Sequence, residues 1–304
     1  MTQFLATLEQ IAHAESVNPV GGVFRHLKWQ VRKLLNAFPC ELELSHSRLR
    51  VADPRGVAAL VNAMGVYDYN NMEFVRACLQ SWGGTFVDVG ANIGSYTLIA
   101  SEIKTARVLG LEAHPRTFAL LAENVRRNAA SNVTCLNVAA SDREGQLEIS
   151  DGLESSLNHI VSASAPAENA LQVSCKRLET VFRELEIDPT VIKIDVEGYE
   201  LAVLLGLGEF RSKANAILVE GGERDQVRDW MAQAGYAGPW FVHFRKGILA
   251  SFPRKRREDP VYIRHELRHE LCNVNSGQGI ELSALLGRGQ RSDQNSTTAA
   301  AACQ

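Results

Sequence analysis

Three short clusters hold the residues best suited to chemistry. In the first, Asp88 lies within a β-rich apolar run, 86–89, and Gly90, Asn92, Gly94, Tyr96 and Thr97 follow it and lead into a helical pattern. A strand that ends in a glycine-rich turn before a helix aims backbone N–H groups at a ligand. In the second, Glu112 and Ala113 close another β-rich run. An acidic residue about 20 positions beyond such a turn can accept both hydroxyls of a ribose. In the third, Asp195 ends the run 191–195, Glu197 and Glu200 stand on the turn and helix start after it, and Glu220 ends the run 216–220.

The ligand chemistry follows from what is missing. Dinucleotide sites usually carry glycine where Asn92 stands, so that the backbone can approach a pyrophosphate. Asp88, expected to face the ligand from its strand end, would repel phosphate and attract an ammonium or sulfonium group. This favours S-adenosylmethionine over NAD, and an NAD-dependent oxidoreductase ranks third among the readings. Methyl transfer is an in-line displacement that needs positioning and, for a hydroxyl acceptor, a nearby proton acceptor. Asp195 is the expected base or acceptor-orienting group, with Glu197 and Glu220 assisting. Carboxylates suit Mg²⁺, but Asp195 and Glu220 at an unknown separation do not define a metal site, and none is assigned. Glu200 reads as an acidic residue at the positive end of a helix.

A strand–helix alternation has to position these clusters. Strands are expected at 86–89, 107–112, 133–136, 191–195 and 216–220, with a closing hairpin at 240–244 and 248–252. Helices are expected at 96–103, 115–128, 178–185, 199–207 and 225–234. The polar insert 151–169, which carries His159, is flanked by extra strands or loop edges at 147–149 and 171–175. The pattern predicts an α/β domain with a mostly parallel, seven-stranded sheet, covered by helices on both faces and with an antiparallel strand near one edge. Residues 1–80 are expected as a helical and hairpin extension, 81–252 as the catalytic domain, 253–286 as a C-terminal extension and 287–304 as a disordered tail. Within the first portion, Phe4, Leu5, Leu8 and Ile11 form one apolar stripe. A second runs from Phe24 through Leu27 and Val31 to Leu34 and Leu35, on a helix whose outer face is basic and is read as solvated.

At 304 residues, 45% hydrophobic and 22% charged, the chain can bury a large core without staples. A net charge of -3 gives no global basic field for nucleic acid. No apolar run reaches the length of a transmembrane helix, and residues 1–15 lack the order of a signal peptide. Six scattered cysteines read as reduced thiols, and a cytoplasmic protein is expected. His265-Glu266-Leu267-Arg268-His269 matches the zinc-protease helix pattern. It lies outside the α/β region, has no clear third ligand and puts a charge beside its histidines, so it is set aside. The basic run 254–257 and Glu258-Asp259 read as a solvated linker.

Phe86-Val-Asp-Val-Gly-Ala-Asn-Ile-Gly-Ser-Tyr-Thr97, Leu111-Glu-Ala-His-Pro115 and Lys193-Ile-Asp-Val-Glu-Gly-Tyr-Glu200 resemble the FkbM-type S-adenosylmethionine-dependent methyltransferases. Gly65-Val-Tyr-Asp68 and Ile217-Leu-Val-Glu220 extend the resemblance over about 50–250. Asp68 stands where that family usually has glutamate. The resemblance implies a Rossmann-like fold and methyl transfer to an oxygen, often a hydroxyl on a sugar, glycan or secondary metabolite. It also puts Asp142 where similar enzymes hold the adenine amino group, although a plain turn aspartate reads as well there. A binding module that keeps the fold without catalysis is the alternative.

Overall fold

Asn18 caps α1 (Pro19–Leu34), its side-chain oxygen accepting from the Val20 N–H while Pro19 occupies the first turn. A hairpin follows, β1 (Cys40–Leu44) and β2 (Ser47–Val51), and then the helices α2 (Val57–Met64) and α3 (Tyr69–Trp82). Strands and helices next alternate: β3 (Thr85–Val89), α4 (Ser95–Ser101), β4 (Arg107–Leu111), α5 (Pro115–Arg127) and β5 (Val133–Leu136). Three more strands, β6 (Ala139–Ser141), β7 (Gly145–Ser150) and β8 (Ala170–Arg177), precede α6 (Leu178–Leu185), β9 (Pro189–Ile194) and α7 (Glu200–Leu205). The later elements are β10 (Ala216–Val219), α8 (Asp225–Gln233), β11 (Tyr236–His243), β12 (Ile248–Ala250) and β13 (Val261–Arg264). The short α9 (His265–His269), β14 (Ile280–Glu281) and α10 (Leu282–Leu286) come last. This computed structural model describes residues 18–152, 169–251, 253, 258–269 and 280–287.

The main sheet has the order β14-β12-β11-β13-β10-β9-β3-β4-β5. Strands β10, β9, β3, β4 and β5 run parallel, and β13 lies antiparallel to both β10 and β11. The sheet therefore has nine strands, two more than the seven expected. The additions are β13, between β10 and β11, and β14, at the free side of β12. β6, β8 and β7 form a separate three-stranded sheet.

Strand pleating sorts side chains onto two cores. Phe86, Val108, Val191, Ala216 and Leu218 face one core, together with residues of α3, α4 and the β1–β2 hairpin. Val87, Leu109, Ile192, Ile217 and Val219 face the other, with α6, α7 and α8. Helices thus cover both faces, as the alternation predicts. The one-residue phase matters for the site, because it places Asp88 and Lys193 side by side on the first face, paired across β3 and β9.

Three expectations change. The boundary at 252 is not a structural one, because β13 lies between β10 and β11 and Val261, Tyr262 and Ile263 are fully buried. The N-terminal portion shares the first core, so it is not a separate extension. The apolar stripe of α1 faces solvent, while Gly22, His26 and Trp29 face the protein. Residues 1–17, His159, the basic run 254–257, Cys272, Cys303 and residues 288–304 lie outside the described residues. Cys40, Cys78, Cys135 and Cys175 are free thiols.

Candidate active site

The C-terminal ends of β4, β3, β9 and β10 converge on a cavity of about 220 Å³. Ligands of open α/β sheets bind outside these strand ends. Gly90, Asn92, Glu112 and Ala113 line it on the β3–β4 side. Asp195, Glu197 and Glu220 line it on the β9–β10 side, with Lys193 and Tyr67. Glu112 and Glu220 follow strands three positions apart, roughly 14 Å at ~4.8 Å per strand, so the cavity suits an elongated ligand.

Glu112 is fixed by the turn it faces. Its two carboxylate oxygens accept from the Asn92 N–H and the His114 N–H, each at 2.9 Å. Burial pushes its pKa up to about 7 against the pull of those two donors. A carboxylate offers about four lone-pair positions, so two stay open to paired hydroxyls. Asn92 takes a positive φ of 52° to present its N–H, and its own side chain accepts from the Ile93 N–H. Beside this carboxylate the wall is apolar, formed by Leu111, Ala113, Val138, Ala140 and Ile149, a surface suited to a planar base.

Gly90 lines the cavity, but its glycine is required by the fold. A Cβ there would lie 1.8 Å from the Asp195 carbonyl oxygen, and φ is +78°. Gly94 does not line the cavity. At φ +99° it opens α4, where a Cβ would meet the Leu121 side chain at 2.8 Å.

Three other expected ligand residues lie beneath the floor. Asp88 is buried, accepts from the Thr97 hydroxyl at 2.6 Å and leaves its other oxygen without a hydrogen bond. Burial raises its pKa, opposed by the neighbouring Lys193 charge. It bonds to α4 through Thr97 and is not among the residues that line the cavity. Thr97 is consumed by that bond. Tyr96 donates to Asp68, and its ring supports the Lys193 ammonium at 4.8 Å. Asp142 is exposed and outside the cavity, accepting from the Ser141 hydroxyl. It therefore does not reach the cavity that the apolar wall lines.

The third cluster is brought together. Lys193 lies two residues before Asp195 on the same face and donates to it at 2.8 Å. Burial alone would raise the Asp195 carboxyl, but the Lys193 charge and hydrogen bonds from Lys193 and Glu220 overcome it and hold the pKa below the ordinary value. Glu220 moves the other way: burial, the Asp195 and Glu197 charges, and a hydrogen bond to Asp195 raise it well above the usual carboxylate range. One oxygen each from Asp195, Glu197 and Glu220 lies within 4.8 Å of the others. Such a set attracts a cation, whether a sulfonium, an ammonium or a divalent metal. Glu200 is not part of it. Its side chain is buried, accepts from the Gly198 N–H at 2.9 Å and pairs with Arg224 at 3.1 Å.

Sequence reasoning gave Lys193 only a tuning role and missed the supports around it. Asp68 holds Tyr96 and Asn71, and Asp259 is pushed up to about 7 by burial and by Asp68 and Asp195. Asp68 was visible as a motif residue. Asp259 was hidden beside the basic run. His114, also on the cavity, bonds Asp151 at 2.9 Å.

The site is thus a Rossmann-like α/β sheet with a backbone-anchored carboxylate at one end of its cavity and an anionic cluster at the other. Residues 88–237 match the methyltransferase FkbM domain. Hexuronic acid methyltransferase AglP of Haloferax volcanii is 32% identical over 135 residues, covering 44% of this chain and 54% of that protein. The chain thus matches about half the length of this curated relative. Among solved structures, a precorrin-6y C5,15-methyltransferase from Geobacter metallireducens aligns with TM-score 0.40 and 16% identity, over 69% of this chain and 90% of that one. TYW2 of M. jannaschii in complex with AdoMet aligns with TM-score 0.40 and 14% identity, over 74% and 85%. These likenesses are loose, and the fold rests on the strand order given above.

Proposed function

We propose that the chain is an S-adenosylmethionine-dependent methyltransferase that methylates a hydroxyl of a sugar or glycan. The observation that carries this is the pairing, in one cavity, of Glu112 with open acceptor positions and the carboxylates Asp195, Glu197 and Glu220 two and three strands away. The cavity fits the donor: Glu112 takes the ribose hydroxyls, the apolar wall takes the adenine, and the carboxylates face the positive end. Bound there, S-adenosylmethionine supplies an electrophilic methyl on a positive sulfur that departs as a neutral thioether. The match to a hexuronic acid methyltransferase makes an acidic sugar the first acceptor to try.

The chain's own groups divide the proton work. Asp195, kept ionised by Lys193, orients the acceptor hydroxyl, and Glu220 takes its proton. Glu220 releases its resting proton once a cation neutralises the cluster and lowers its pKa. As the acceptor oxygen bonds the methyl carbon, the carbon–sulfur pair leaves with sulfur and the hydroxyl proton passes to Glu220. Of the two roles expected for Asp195, base or acceptor-orienting group, this keeps the second, because Lys193 makes Asp195 the weaker base.

Calorimetric titration of the whole chain with S-adenosylhomocysteine and with NAD tests the reading. Saturable heat with S-adenosylhomocysteine and none with NAD is expected. The reverse would return the chain to the oxidoreductase reading. Binding without methyl transfer to any sugar or small metabolite would favour the non-catalytic module.

A further inference from the structure

Helix α1 turns its apolar side away from the protein. Phe24 is 59%, Leu34 86% and Leu35 73% exposed, and Val20, Leu27 and Val31 continue the same stripe at helical spacing. The opposite side is committed to the fold: Trp29 is buried and its indole donates to the Pro54 carbonyl at 3.1 Å. Arg25 also ties the helix down, donating to the carbonyls of Asn62 and Ala63. A stripe this continuous on a helix so firmly seated is a surface held outward.

The charges beside the stripe select its partner. Lys28 and Arg32 run along one side of it, and no Asp or Glu occurs from Pro19 to Leu35. Lys28 lies over the Phe24 ring at 4.6 Å, which puts a cation level with the shoulder of the apolar face. Two copies of this helix facing each other would oppose cation to cation. An anionic lipid surface satisfies both features, because the apolar side enters the acyl boundary while Lys28 and Arg32 meet the headgroups. No helix among the described residues is long and apolar enough to cross a membrane, so attachment through α1 would be peripheral.

We propose that α1 docks the protein on anionic bilayers by lying in the lipid interface. The helix packs on α2, whose first residue, Val57, lines the cavity, so docking would set the cavity close to the membrane surface. This inference does not depend on the methyl-transfer reading.

Vesicle co-sedimentation of the full chain provides the test, with phosphatidylcholine vesicles containing or lacking 30% phosphatidylglycerol. Binding to the anionic vesicles at 0.1 M salt and its loss at 0.5 M is expected. Lys28→Glu with Arg32→Glu should lower the partition coefficient at least about 30-fold, given about 1 kcal/mol per cation near an anionic surface. Leu27→Glu with Val31→Glu should lower it at least about tenfold. These side chains are on the helix's outward surface, so an unchanged melting temperature will show that the fold persists. No binding to anionic vesicles, or binding that survives both double variants, would overturn the proposal. A dimer that Leu27→Glu dissociates, without vesicle binding, would overturn it in favour of a second copy. Vesicle binding that appears only when residues 1–17 are removed would assign the stripe to that segment instead.

Discussion

Glu112 has half its acceptor capacity committed to backbone donors and the rest open to a ligand, while burial holds its pKa near 7. Hydroxyl donors favour the ionised carboxylate, so binding and deprotonation reinforce each other. The sign follows: affinity for S-adenosylhomocysteine should rise as pH increases through about 7 and level off above it. Glu112→Ala should cost about 1.5–3 kcal/mol of binding, as for hydrogen bonds with a charged partner, and calorimetry at pH 6 and pH 8 reads both effects. The Asp195–Glu220 pair carries a second prediction. The rate should rise with pH as Glu220 ionises, and Glu220→Gln should remove that limb and cost ~10²–10⁴ in turnover. Asp195→Asn removes the charge that helps raise Glu220, so the limb should move to lower pH; pH–rate profiles of both variants distinguish the roles. Residue identities were the most legible part of the site. Glu112 and Asp195 could be named because strand ends at a switch point are where chemistry gathers. Asp88, Tyr96 and Thr97, expected at the ligand, do not line the cavity, and spacing alone gives distance along the chain and not the face a residue takes.

Gly90 shows what an element demands of one position. Its missing side chain makes room for the Asp195 carbonyl as β3 and β9 come together, which joins the first and third clusters. Gly90→Ala should therefore lower stability on the order of 3 kcal/mol or more, combining overpacking against backbone with a positive φ. Chemical denaturation compares the variant with the unaltered chain, and a loss below 1 kcal/mol would refute the packing argument. At this scale the β–α alternation was readable because buried parallel strands are short apolar runs. The amphipathic pattern of α1 was also readable, but periodicity reports that a helix has two faces and not which one meets the protein. Trp29 and the Arg25 contacts, each reaching far along the chain, decide that.

Over the whole molecule, the C-terminal return of the chain was the least legible feature. Strand β13 has only four residues and follows a basic run, yet it fills the place between β10 and β11. Ending the chain at 252 would open the β10 edge and empty the sites of Val261, Tyr262 and Ile263. Such a truncation should be recovered mainly as aggregate, and a soluble, cooperatively melting product would contradict the assignment of β13 to the core. The central claim concerns the cavity at the strand ends, and transfer of a labelled methyl group from S-adenosylmethionine tests it most directly. Incubated with glycans bearing hexuronic acids, the whole chain should incorporate label into a base-stable methyl ether, while Glu220→Gln should lose at least ~10² of that rate. Equal incorporation by Glu220→Gln and by the unaltered chain would contradict the account.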